Sequence, residues 1–137
     1  MLQLTDMHFG CGILSRKSDK LAQNAVITLV ERVKPDLIIL TGDNIYPLPI
    51  FSGTANNLKQ SKYVAKLMEQ FEIPWTMVFG NHDTEPFATH TKSQLCDFYS
   101  QQKHCLLKRG DENIYGMGNH IIIINNEDGK VNTCCYA

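Results

Sequence analysis

Thr5-Asp6-Met7-His8, Gly42-Asp43-Asn44 and Gly80-Asn81-His82-Asp83 each follow directly on a short apolar segment, and each carries oxygen or nitrogen atoms able to hold a metal ion. A carboxylate shared between two cations can keep them roughly 3.5–4 Å apart, the separation used for in-line displacement at phosphorus. Asp43 is the natural candidate for that bridge. Asn81 offers a neutral carbonyl oxygen, which adds coordination without repelling a phosphate. His82 followed by Asp83 reads as an imidazole beside a carboxylate, a pairing that fixes the tautomer and raises basicity for a proton passed to a departing alkoxide. Any one of these runs is more often an ordinary turn. Three in order, each at a strand end, are hard to explain as turns.

The elements that must position them follow from patterning. Leu2–Leu4, Leu37–Leu40 and Thr76–Phe79 read as short buried strands separated by helix-like stretches, which is the strand-helix-strand rhythm of a parallel sheet in an α/β fold. Ligands of such sheets bind beyond the carboxyl ends of the strands, where Asp6, His8, Asp43, Asn81 and His82 are expected to meet. Ser18 or Asp19 is predicted to cap a helix reaching Val33, with Leu21, Ala25, Leu29 and Val33 at helical intervals and Pro35 ending it. A second helix is predicted over Leu58–Phe71, with Val64, Leu67, Met68 and Phe71 inward, and a third over Thr91–Lys103, with Leu95 and Phe98 inward. Tyr46–Asn57 and Thr84–Thr91 are predicted as loops overhanging the crevice. Ile121–Asn125, a turn at Asn126–Gly129 and Val131 onward read as a hairpin. Its Ile121–Ile124 run is expected to leave a sticky edge prone to aggregation.

The three runs, in this order and spacing, resemble the first three signatures of the calcineurin-like metallophosphoesterases, and the wording around them is closest to a purple-acid-phosphatase-like branch. The resemblance implies the first half of a four-layer α/β/β/α sandwich, as one C-terminally truncated domain over residues 1–137. It implies two divalent or trivalent metal ions (iron, manganese or zinc), held by Asp6 and His8 at the first, Asp43 between both and Asn81 at the second, with His82 and Asp83 as the catalytic pair. It further implies hydrolysis of phosphate mono- or diesters by water whose pKa the two metals lower to about 7. The substrate would be a phosphorylated small molecule or a phosphoprotein.

The chain departs from that family in two respects. The family's later signatures, a lone histidine after a strand and a Gly-His-x-His, are not found here, so the second metal is expected to be underfilled. An inactive or truncated module with an incomplete metal site is therefore the alternative function. His90, His104 and His120 lack the flanking residues of those signatures and read as solvent-facing or capping histidines. True purple acid phosphatases also place a tyrosine three residues after the bridging aspartate as a ferric ligand and lack the histidine of Asp-x-His. Both Tyr46 and His8 stand here, and Tyr46 reads as a packing residue.

Composition narrows the remaining classes. A net charge of −1, with no basic run interleaved with aromatics, disfavours nucleic acid as a partner. No apolar run of 18 or more residues and no basic-then-apolar leader stands in the sequence, which disfavours a membrane association. The five cysteines, Cys11, Cys96, Cys105, Cys134 and Cys135, form no Cys-x-x-Cys pair, and their odd number favours a reducing, cytoplasmic compartment. Cys11, close behind His8, reads as a loop or buried thiol rather than a reactive one.

Overall fold

Three consecutive apolar segments pair side by side because each is too short and too buried to satisfy its backbone alone. In the computed structural model they are β1 (Leu2–Leu4), β2 (Ile38–Leu40) and β3 (Trp75–Met77), ordered β1-β2-β3 and all parallel. Leu2 faces Ile38 and Ile38 faces Trp75, so the three strands end at the same level and deliver the three motif runs to one edge. The structure describes residues 1–125, 128–129 and 131–136, with side chains described through residue 131.

Between the strands lie α1 (Arg16–Val33), the one-turn α2 (Pro49–Ser52) and α3 (Asn57–Glu69); α4 (Lys92–Ser100) follows β3. The loop predicted over residues 46–57 therefore contains a short helix begun by Pro49, whose missing N–H costs nothing at a first helical position. Helix α1 starts earlier than expected, with Ser15 rather than Ser18 or Asp19 at its N-cap. Its inward face also differs. Leu21, Leu29 and Val33 are exposed, and Val26 and Val30 are buried together with Asp19. The reason is Asp19, whose carboxylate accepts the Gly10 and Cys11 N–H groups, each at 2.9 Å, and the Ser15 hydroxyl at 2.8 Å. That anchor turns the face bearing residues 19, 22, 26 and 30 onto the sheet. The helix ends at Lys34, in left-handed backbone, just before Pro35.

Helix α3 packs Val64, Leu67 and Met68 into the core as expected, with Phe71 partly covered beyond its end. Helix α4 is shorter than predicted and opens on a complete capping box, Thr91 accepting from the Gln94 N–H while Gln94 accepts from the Thr91 N–H. It buries Leu95 and Tyr99, and Phe98 packs at the margin. The core is completed by Phe9, Ile45, Trp75 and Met77, all shielded from water.

β4 (Ile121–Asn125) and β5 (Val131–Tyr136) form an antiparallel hairpin as read from the sequence; residues 126 and 127 of its predicted turn lie outside the described residues. Ile121 and Ile123 are exposed, and Ile122, Ile123 and Ile124 line a cavity with Leu37, Pro74 and Leu106. His120 ties the hairpin to the sheet through a 3.0 Å contact between its Nε2 and the Thr76 hydroxyl.

Glu69 joins α3 to β3 and to the segment after α4. Its Oε1 accepts Trp75 Nε1 at 2.9 Å and the His104 N–H at 3.0 Å, and its Oε2 meets His104 Nδ1 at 2.9 Å. Burial alone would raise this carboxyl, but the donors prevail and hold it below its ordinary 4.5. A carboxyl depressed on folding stabilises above its unfolded value, and that contribution disappears as pH falls through the lower folded value. Glu69→Gln is expected to cost about 1 kcal/mol near pH 7. Urea midpoints should show the gap to the parent chain closing as pH falls below 4.5; a constant gap would mean that only packing was lost.

Candidate metal centre

Beyond the strand ends the backbone itself zips the first two motif loops together. The Asp6 N–H donates to the Gly42 carbonyl at 3.1 Å, His8 to Asp43 at 3.0 Å and Phe9 to Asn44 at 3.0 Å, and Phe9 and Ile45 bridge in parallel. These bonds require unusual backbone: Asp6, His8 and Asp43 all adopt left-handed conformations, with φ of 53°, 49° and 50°. Such conformations are disfavoured for residues bearing a Cβ, and they concentrate where a site demands a particular side-chain direction.

The result is that Asp6, His8 and Asp43 each offer a donor atom within 4.8 Å of the others. Asp6 Oδ1 stands 3.6 Å from His8 Nε2. Metal bonds of about 2.0–2.2 Å place opposed donors at most about 4.4 Å apart, so shifts of a few tenths of an ångström bring the set around one ion. Two carboxylates meet here, and among the described residues no lysine or arginine pairs with either. The Thr5 hydroxyl, donating to Asp6 Oδ2 at 2.5 Å, holds the Asp6 carboxyl below its ordinary value, with His8 adding to the effect. The donor set thus fits one cation. For a second, Asp43 and Asn81 alone remain, and no further histidine, cysteine, aspartate or glutamate joins the group among the described residues.

The third loop is fastened to the second. The His82 N–H donates to Asp43 Oδ1 at 2.8 Å, beside the expected metal ligands. Asn81 is exposed next to it, and no hydrogen bond holds its side chain among the described residues. Gly80 passes so close to Asp43 that an added Cβ would collide with both the Asp43 carboxylate and its backbone nitrogen. Only glycine allows the two loops this approach.

Asp83 does not partner His82. It is buried, and it spends both oxygens on backbone, Oδ1 on the Ile45 N–H at 3.0 Å and Oδ2 on the Gly80 N–H at 2.8 Å. Burial raises its carboxyl above the ordinary range against the lowering effect of these donors. The carboxylate on the imidazole is Glu85, whose Oε1 lies 2.5 Å from His82 Nδ1. Adjacency in sequence misled here because the turn sends residue 83 inward, while the next loop brings residue 85 back over residue 82. Glu85 and Asp19 are the two site-shaping residues that sequence reading missed. The only available signal for Glu85 was its place three residues after His82, where a turn returns side chains to one another.

Tyr46 belongs to the same mouth. Its ring meets His82 edge-on with centroids 4.8 Å apart and His8 edge-on at 5.2 Å, and it stacks on Phe51 at 5.7 Å. His8 and His82 are themselves 5.3 Å apart. The remaining histidines are occupied elsewhere: His90 bonds Thr89, with its backbone held by Asn57, His104 bonds Glu69 and His120 bonds Thr76. Cys11 is a protonated thiol, pushed up to about 12 by burial and then by Asp19. No helix of the described residues is long and apolar enough to cross a membrane.

Comparison with known proteins places this geometry. The chain is 30% identical to a protein named probable inactive purple acid phosphatase 28 of Arabidopsis thaliana, over 96% of this chain and 37% of that one. It is 31% identical to the phosphatase DCR2 of Saccharomyces cerevisiae, over 96% of this chain and 24% of that one. A further relative, over 65% of this chain, is named probable inactive purple acid phosphatase 14 of Arabidopsis thaliana, at 33% identity. The chain thus spans between about a quarter and just over a third of the length of these relatives. The mixed α/β arrangement with its parallel sheet is compatible with the first half of a metallophosphoesterase fold. Since the family model for calcineurin-like phosphoesterases matches residues 1–133, the stretch that carries all three motif loops, the chain belongs to the calcineurin-like phosphoesterase family.

Proposed function

We propose that this chain carries the metal-binding half of a phosphoesterase that hydrolyses phosphate mono- or diesters, with a phosphorylated small molecule or phosphoprotein as substrate. The observation that supports this most is the meeting of Asp6, His8 and Asp43 within 4.8 Å, two negative charges and an imidazole with no lysine or arginine paired to them among the described residues. Asp6, His8 and Asp43 would hold the first ion, and Asp43 with Asn81 would supply the beginning of a second site. Bound metal would supply Lewis-acid polarisation of a phosphoryl oxygen and a lowered pKa for water.

The chain's own residues divide the remaining work. With Nδ1 committed to Glu85, His82 has Nε2 as the ring nitrogen that can give its proton to the leaving oxygen as the P–O bond breaks. Glu85 fixes the tautomer and steadies the imidazolium beforehand. The Tyr46 and His8 rings keep the His82 ring from swinging. Asp83 is assigned to positioning, through the backbone of Gly80 and Ile45.

A second reading, a module of this family that binds metal weakly and does not turn over, is favoured by the sparse donor set for a second ion. The names of two Arabidopsis relatives point the same way. Metal counting separates the readings. After exhaustive dialysis the chain is expected to retain iron, manganese or zinc, and Asp43→Ala to weaken retention by more than about 100-fold. Hydrolysis of p-nitrophenyl phosphate that vanishes in Asp43→Ala would support the enzyme. Metal lost on dialysis together with no turnover would support the module, and retention unchanged in Asp43→Ala would remove both.

A further inference from the structure

Away from the crevice, α1 and α3 face each other across a cavity of about 650 Å³ whose rim is almost entirely cationic. Arg16 and Lys20 stand on the α1 wall, and Lys59, Lys62 and Lys66 on the α3 wall, all with exposed side chains. Among the described residues none of the five has a carboxylate within 4.0 Å. Lys59 donates to the Cys11 carbonyl at 2.7 Å and Lys20 to Gln23 at 3.3 Å, contacts to neutral groups that leave the charge in place. The one acid that lines the cavity, Asp19, is buried and already holds two backbone N–H groups and the Ser15 hydroxyl. The local sign therefore opposes the net charge of −1 carried by the whole chain.

This arrangement works against the fold when nothing is bound. Arg16 with Lys20, and Lys62 with Lys66, are like charges four residues apart on a helix, and Lys59 with Lys62 three apart, spacings at which repulsion destabilises. Both helices also begin at the groove. The first turn of α1 holds Arg16 together with Asp19, whereas the first turn of α3 holds Lys59 and no acidic residue, so on α3 a cation lies where the helix dipole is already positive. An anion seated between the walls would relieve both penalties at once.

We propose that the groove between α1 and α3 binds a small oligophosphate, at a site separate from the metal centre. Its volume falls among pockets for small molecules, which run from about 300 to 1,000 Å³. Lys59 and Lys66, seven residues apart, are spread over roughly 10 Å of helix, which suits several linked phosphates better than one. Between the two walls the groove is lined by Cys11, Gly12, Ile13 and Tyr63. Asp19 borders this groove and also a second cavity lined by His8 and Tyr46, so an occupant would lie directly behind the loop that carries His8.

Calorimetry on the chain in the presence of a chelator, with inorganic tripolyphosphate as the probe, tests this independently of any metal. The expected result is saturable one-to-one binding, at least about tenfold tighter than orthophosphate and weakened by salt. Lys62→Gln with Lys66→Gln should weaken it roughly tenfold. Lys103→Gln with Lys108→Gln, an equal loss of charge elsewhere, should change it less than about twofold. Equal weakening by both pairs would reduce the effect to net charge and overturn the site. So would the absence of saturable binding, or loss of binding in Asp43→Ala, which would place the probe in the crevice. Binding of an oligoglutamate peptide without tripolyphosphate binding would make the groove a protein-docking surface, also against the proposal.

Discussion

Asp83→Ala is expected to destabilise the chain by roughly 2–4 kcal/mol, because it takes the acceptor from the buried Ile45 N–H and from the part-buried Gly80 N–H. The side chain that the Gly80 and Ile45 N–H groups share is 1% exposed. Some of the loss is offset because a charged group no longer has to be buried. Glu85→Gln offers the contrast. Its carboxylate is partly exposed and meets a side chain rather than the backbone, so the stability cost should stay below about 1 kcal/mol. Chemical denaturation of the two variants checks the assignment. A mild Asp83→Ala together with a severe Glu85→Gln would restore the role that sequence adjacency first suggested for Asp83.

Gly80→Ala should be comparably severe, on the order of 3 kcal/mol, and for a different reason. The backbone at Gly80 does not need a positive φ, so the penalty is one of space alone. The new methyl group would occupy the volume of the Asp43 carboxylate, and that carboxylate also accepts the His82 N–H. Either the loops separate or Asp43 turns away. The variant should therefore lose stability and metal retention together, whereas Asp43→Ala loses retention with less damage to the fold. Thermal melting paired with metal counting distinguishes these outcomes, and a Gly80→Ala variant melting within a degree or two of the parent chain would contradict the close approach.

Much of the site was legible because strand ends and turn residues are local properties. Asp6, His8 and Asp43 could be placed on one edge from three short apolar runs and their direction alone. What could not be read was which way each loop residue faces. Asp83 is next to His82 in sequence yet turns to the backbone of another loop, and Glu85 reaches the imidazole by a return of the chain that no periodicity announces. Helix α1 illustrates the same limit. It carries two apolar rows at four-residue spacing, one through Leu21 and Leu29 and another through Val26 and Val30, and pattern alone does not rank them. The decision lies with Asp19, a charged residue on the inward face, held there by N–H groups of a preceding loop. The basic groove was invisible for a related reason, since its cations come from two helices and form no run in the sequence.

The left-handed backbone at Asp6, His8 and Asp43 bears on how this lineage can age. A residue with a Cβ gives up about 1–2 kcal/mol in that conformation, and glycine gives up almost nothing there. A descendant released from cation chemistry would thus gain robustness by drifting to glycine at Asp6 or His8, whereas at Asp43 the gain would be offset by loss of the acceptor for the His82 N–H. Decay of the chemistry and hardening of the scaffold would proceed by the same substitutions, and this chain still carries aspartate and histidine where they would begin.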